Sequence, residues 1–378
     1  MLIITEKEAI MDTISNTIAI HPSEFIRDSL EYFKMSQDEL ANRIGMTPKA
    51  ISNIMNGKSN ITPETAMKLE KVFGTPASFW ISAQGKYDEY QNRIREEQLI
   101  EQKENQFYKK LSLNLLYNKL VKIGCLEKCL TRLDAIRSLQ SFLGVSSFSL
   151  LESTFNKQLE GMAFKPTQDI NKYDFIAWLT CGRTTIRSRK IDNYDASKFK
   201  DAIREARKFS FQQIEDVWDK LVKLYESAGV YLVYTPCIGK SSVYGYTEWL
   251  SGNPVIHLSL RGSADYSWHS LFHESCHVIQ DKRTKVFIDY SGTVISEGDD
   301  EDEKRAHKFA SELLIKDADL RANFNEYNFR NFDWGIQIRM VEDFSAKKNI
   351  LPAITVARLQ RLGIINYKTH LNSLKKKK

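Results

Sequence analysis

Between residues 36 and 76 the chain repeats one device four times. Ser36 precedes Gln37, and Thr47–Pro48, Thr62–Pro63 and Thr75–Pro76 follow at short intervals. A Ser or Thr side-chain oxygen accepts from an N–H of the first helical turn. A proline just after it loses nothing, because its missing N–H would have had no partner within the helix. Gly45, Gly57 and Gly74 close the intervening segments, where glycine tolerates the left-handed turn that ends a helix. This spacing predicts a compact all-helical domain over residues 21–82. Its first helix runs from Gln37 to Ile44 and turns Leu40, Ala41 and Ile44 inward. The second runs from Pro48 to Asn56 and buries Ile51 and Ile54. Phe25, Leu30, Met46 and Phe73 read as core.

The pattern changes twice further on. Residues 87–110 are dense in Glu, Gln, Lys and Arg, as expected of an exposed connecting helix. Residues 111–225 carry helical apolar stripes such as Leu133, Ile136, Leu139 and Leu143. There AWLTCGRTTIRSRK reads as a helix ending in a basic surface, available for core packing and partner contact. After Gly229 the segments VYLVYTP, SVYGYTEWL and NPVIHLSL read as strands, with Gly252–Asn253–Pro254 as a turn. A helix is predicted from about Ser267 to Gln280. VFIDYSG, an acidic run (EGDDEDE), the helix KRAHKFASELLI and a last amphipathic helix in LPAITVARLQRLGIIN follow. The expected organisation is multidomain: an N-terminal extension (1–20), an all-α helix-turn-helix domain (21–90), a helical middle region (91–225), an α+β domain (226–370) and a basic tail (371–378).

Hydrophobic residues make up 42% of the chain and charged residues 27%, which excludes extensive disorder. No apolar run approaches the roughly 20 residues that span a bilayer. The start, MLIITEKEAIMDTISN, is acidic where a signal peptide is basic. A cytoplasmic protein with no membrane partner is expected. The five cysteines are odd in number and widely spread, which argues against a disulfide framework. Cys125 and Cys129 lie four apart on an expected helix and read as buried free thiols. The net charge of +6 permits nucleic-acid binding without requiring it. Seven basic and seven acidic residues balance between His21 and Ser82, so DNA affinity there must come from the arrangement of charges.

The chemistry concentrates in His273-Glu274-Ser275-Cys276-His277, an HExxH pattern. Residues four apart share one helix face, so His273 and His277 can meet one metal ion. Glu274 beside them can take a proton from metal-bound water. Zinc suits imidazole ligands and needs a third protein ligand with one position left open. Glu303, Glu297, Asp299, Asp300, Glu301, Asp302 and His307 all stand in the following region, and residue types alone do not choose among them.

In the N-terminal domain, the helix from Gln37, the turn at Gly45–Met46 and the helix from Pro48 form a two-helix unit. Thr47, Lys49, Ala50, Ser52 and Asn53 face outward at the end that would enter a major groove. Lys49 can reach guanine or phosphate, and Asn53 can pair with adenine. Gln37 at a helix N-terminus is placed for a phosphate, and Lys58 for a further backbone contact.

Two resemblances extend this reading. Residues 21 to about 90 resemble the XRE-type helix-turn-helix of HigA-like antitoxins, which implies binding to a double-stranded DNA operator as a homodimer. The stretch from Gly229 to Leu314, with GVYLVYTP, GYTEWL, DYSWHSLFHESCHVI and EKRAHKFASELL, resembles the ImmA/IrrE metallopeptidases. That resemblance implies a zincin-like fold and a zinc peptidase acting on transcriptional repressors. It also implies a third ligand at the Glu opening Glu-x-x-Ala-Asn-x-Phe-Ala, which is Glu303. His307 stands where that family prefers Asn, and Ser275–Cys276 where Leu–Gly is common; neither change removes a ligand. Two functions follow as expectations. One is a regulator that binds an operator and cleaves a partner regulator or itself, in a stress or phage/toxin-antitoxin response. The other is an antitoxin and autorepressor that neutralises a cognate toxin and uses zinc only as structure.

Overall fold

The computed structural model describes residues 19–161, 171–239, 243–280, 287–290, 301–324 and 329–375. The chain divides into two compact units, residues 1–106 and 107–378. The first contains α1 (Pro22–Tyr32), α2 (Gln37–Ile44), α3 (Pro48–Met55), α4 (Pro63–Phe73) and α5 (Ala77–Leu99). Ser36, Thr47 and Thr62 cap α2, α3 and α4 through their side-chain oxygens at 3.1–3.2 Å. Gly45 and Gly74 end α2 and α4 at φ of 65° and 72°, where a side chain would be strained. At the fourth position the device differs. Pro76 itself occupies the N-cap of α5, and the Ala77 N–H donates to the Glu70 carboxylate. Leu40, Ala41, Ile51, Ile54, Leu69 and Trp80 form the buried centre of this unit.

From α5 the chain continues through a π-helical turn (Ile100–Glu104) into α6 (Asn105–Lys110). The second unit holds α7 (Leu113–Lys122), α8 (Arg132–Leu143), α9 (Leu151–Gly161), α10 (Lys172–Ile186), α11 (Ala196–Arg207) and α12 (Trp218–Glu226). These precede a mixed sheet of β1 (Tyr231–Tyr234), β2 (Val243–Leu250), β3 (Asn253–Leu258) and β4 (Phe287–Tyr290) in the order β1-β3-β2-β4. Strand β3 runs parallel to β1 and antiparallel to β2. Strand β4 pairs antiparallel with β2. Helix α13 (Ala264–Ile279) joins β3 to β4, and α14 (Glu301–Leu314) packs against it. Helices α15 (Asp317–Asn323), α16 (Trp334–Lys348) and α17 (Pro352–Arg361) and a 3-10 turn (His370–Lys375) complete the unit.

Strand β2 sends alternate side chains to opposite faces of the sheet, as its period of two requires. Gly245 and Thr247 meet α13, whereas Tyr246 and Glu248 meet α10. Helices α7 to α12 of the sequence-defined middle region lie in the same compact unit as the sheet. Trp178 donates to the Thr235 carbonyl at 2.8 Å, and Phe199, Leu221 and Tyr225 share a core with Ile256, Phe272 and Leu359. Within the segment AWLTCGRTTIRSRK, Arg183 turns inward to Glu248, as core packing of that helix expects.

One expectation is overturned. Cys125 does not share a helix with Cys129, because α7 ends before Gly124, which adopts φ of 77°. Cys125 is joined in a disulfide to Cys181 on α10, 56 residues away, while Cys129 is free. The predicted turn shifts slightly: Asn253 and Pro254 belong to β3, and Ser251–Gly252 make the reversal. Residues 1–18, Glu297, Asp299, Asp300 and Lys376–Lys378 lie outside the described residues. No described helix is long and apolar enough to cross a membrane.

Candidate metal centre and helix-turn-helix surface

The HExxH residues lie within the sixteen residues of α13, nearly all of them buried. His273 and His277 turn their Nε2 atoms to within 3.0 Å of each other. Glu303, in the first turn of α14, completes the triangle. Its carboxylate oxygens lie 3.2 Å from His273 Nε2 and 3.3 Å from His277 Nε2. Ligand bonds of about 2.0–2.1 Å in a tetrahedral zinc site separate the donor atoms by about 3.3 Å. The three side chains fit a metal ion, and they are the one such group found among the described residues.

The electrostatics agree with a cation site. Burial opposes the charge of Glu303, but hydrogen bonds from His273 and His277 outweigh it and hold the carboxyl well below its usual range. Burial lowers His277 and so favours the neutral imidazole that a metal requires. Of the other carboxylates considered from sequence, Glu301 and Asp302 lie in the same turn as Glu303 but outside the triangle. Cys276 stands between the two histidines, yet burial pushes its thiol up to about 11. It is not part of the triangle of metal-ligand atoms.

Glu274 is fully buried and held from β2. The Thr247 hydroxyl donates to Glu274 Oε2 at 2.6 Å. At Gly245 a Cβ would stand 2.7 Å from both Cγ and Oε1 of Glu274, so the strand reaches the carboxylate only as glycine. Ser275 faces the other way, bonded to Tyr225 Oη at 3.0 Å. Thr247 and Gly245 were not singled out from sequence. The available signal was a glycine inside a strand, which marks close approach.

In the first unit, Gln37, Thr47, Lys49 and Lys58 are exposed, and Ala50, Ser52 and Asn53 are half-buried, while Ile51 and Ile54 point into the core. Lys49 and Lys58 form no ion pair among the described residues, whereas Arg27 and Arg43 pair with Glu24 and Glu39. The Thr47 hydroxyl serves the cap of α3, and Asn56 Nδ2 donates to Ser52 Oγ at 3.2 Å.

A capped helix-turn-helix unit followed by an α+β body with an HExxH helix and a glutamate from the next helix defines a class of protein: a helix-turn-helix regulator with a zincin-like domain. Residues 26–80 match the helix-turn-helix family, and residues 225–347 match the peptidase M78 family described as the IrrE N-terminal-like domain. The chain belongs to the helix-turn-helix family in its N-terminal unit and carries an IrrE N-terminal-like domain in its second.

Among curated proteins it is 37% identical over 73 residues to "Virulence-associated protein I" of Dichelobacter nodosus, covering 18% of this chain and 66% of that protein. It is 33% identical over 63 residues to the uncharacterized HTH-type transcriptional regulator YddM of Escherichia coli, covering 17% of this chain and 67% of that one. The chain thus spans about two thirds of the length of these relatives. Among solved structures, an addiction module antidote protein of the HigA family from Coxiella burnetii aligns at 33% identity over 23% of this chain and 96% of that one, with a TM-score of 0.22.

Proposed function

We propose that this protein binds a double-stranded DNA operator through α2 and α3, as a homodimer, and that its second unit is a zinc peptidase. Its substrate would be a partner regulator or the chain itself, in a stress or phage/toxin-antitoxin response. Residues 226–370 would form the peptidase domain proper. The observation that carries the reading is the convergence of His273, His277 and Glu303 at 3.0–3.3 Å beside Glu274, a carboxylate fixed from β2.

Zinc in such a site supplies Lewis-acid activation of water and of the peptide carbonyl. The protein does the rest. His273, His277 and Glu303 would hold the ion. Glu274 takes the proton from the attacking water and can return it to the leaving amine. Thr247 keeps one carboxylate oxygen in place through its hydrogen bond.

Metal analysis tests the reading. Wild-type protein should hold about one zinc per chain, and His277→Ala and Glu303→Ala should lose it. Zinc retained without Glu303 would move the third ligand elsewhere. Wild-type protein that takes up no zinc after its addition would end the peptidase reading.

On the DNA side, Thr47, Lys49, Ala50, Ser52 and Asn53 would face the major groove, with Gln37 and Lys58 on phosphates. Lys49→Ala should weaken operator binding by about 1–3 kcal/mol if it reads a base. Titration at fixed salt checks this, and unchanged affinity would place the recognition surface elsewhere.

A further inference from the structure

Beside the proposed metal ligands lies a polar cluster that peptide cleavage as described leaves unused. His269 sits one turn before His273 on α13, His307 one turn after Glu303 on α14, and Arg361 closes α17. The ring centres of His273 and His307 are 4.3 Å apart, and those of His269 and His307 are 5.4 Å apart. Arg361 Nη1 rests on His269 Nε2. A guanidinium can only donate, so Nε2 accepts and the His269 proton sits on Nδ1. His269 therefore steadies the arginine and is not available to the metal through that nitrogen. A second cation beside Arg361 is disfavoured by charge repulsion.

The two arginines of α17 differ in their surroundings. Arg358 is buried and paired with Asp317. Arg361 is exposed, and no ion pair involves it among the described residues. An exposed guanidinium held by a buried neighbour, with donors to spare, has the geometry that receives a carboxylate through paired N–H groups.

We infer that Arg361, steadied by His269, binds a carboxylate of the peptide lying across the metal centre, and so selects substrates with an acidic side chain or a free C-terminus near the scissile bond. The inference rests on the peptidase reading. It differs from that reading in naming the substrate class.

The test uses full-length, zinc-loaded protein and three short peptide hydroxamates, which anchor on zinc without being cleaved. One carries an alanine side chain and an amidated end, one an aspartate and an amidated end, and one an alanine and a free C-terminal carboxylate. One of the two charged compounds should bind at least about tenfold more tightly than the uncharged one, as a charge-assisted contact allows. Which of them does so identifies the source of the carboxylate. Arg361→Gln should abolish the preference, and Arg361→Lys should keep part of it, with zinc content and affinity for the uncharged compound unchanged in both. Equal binding of all three by wild type, or a preference that survives Arg361→Gln, overturns the carboxylate site and leaves the peptidase reading intact. Zinc-loaded protein that binds none of the three overturns both.

Discussion

Glu274→Gln is expected to retain its zinc and to lose cleavage by a factor of roughly 10²–10⁴, the range for removal of a general base. The substitution keeps the shape of the side chain and leaves His273, His277 and Glu303 untouched. Glutamine's carbonyl oxygen can still accept from the Thr247 hydroxyl, which now meets Glu274 Oε2 at 2.6 Å. An amide cannot accept the proton of the attacking water, so the loss falls on the chemical step and not on metal affinity. Two measurements on one preparation separate these outcomes: zinc content, and the rate at which a purified candidate repressor or the chain itself is cut. A variant that keeps both its zinc and all its activity in cells would move the reading to a HigA-like antitoxin and autorepressor in which zinc is structural.

What could be read from the residues depended on how local the determining contacts are. The caps at Ser36, Thr47 and Thr62 lie within three residues of the N–H groups they satisfy, and they form as the spacing predicts. The pairing of His273 with His277 follows from one helical turn. Glu303 was different. Several carboxylates stood in its neighbourhood, and only the family resemblance selected it, because α13 and α14 meet through tertiary packing. Thr247 and Gly245 act on Glu274 from a strand about thirty residues upstream, and sequence spacing does not encode that contact. The disulfide partner of Cys125 lies 56 residues away, on a helix that no local pattern ties to it. Helix α10 is buried almost all round, from Asp174 to Gly182, so its pattern has no polar face to orient it, and the contact of Arg183 with Glu248 is not encoded in spacing.

The inward turn of Arg183 carries the other large effect. Arg183→Met should destabilise the second unit by about 3–5 kcal/mol at neutral pH, the range for breaking a buried ion pair from one side. Arg183 Nε and Nη2 donate to the two carboxylate oxygens of Glu248 at 2.9 and 2.5 Å, and His257 Nε2 lies 3.0 Å from Oε1. Glu248 is 5% exposed. Burial alone would raise its carboxyl, but Arg183 and His257 outweigh burial and bring it to about 2. A carboxyl lowered on folding stabilises the native state above its ordinary value of 4.5, and that contribution is lost as pH falls toward 2. The contribution is on the order of 3 kcal/mol, from 1.36 kcal/mol per unit. Wild-type stability, measured by urea denaturation, should therefore decline between about pH 4.5 and 2. Arg183→Met should shrink that decline together with the stability, because Glu248 then keeps only His257 to favour its ionised form. Adding Glu248→Gln to Arg183→Met should recover part of the loss, since no uncompensated charge then remains buried. A single substitution costing less than about 1 kcal/mol would show that water reaches Glu248 in place of the arginine. Because β2 carries Glu248 to α10 and Thr247 to Glu274, the same variant tests whether the sheet can lose its clamp on one face and still present the general base on the other.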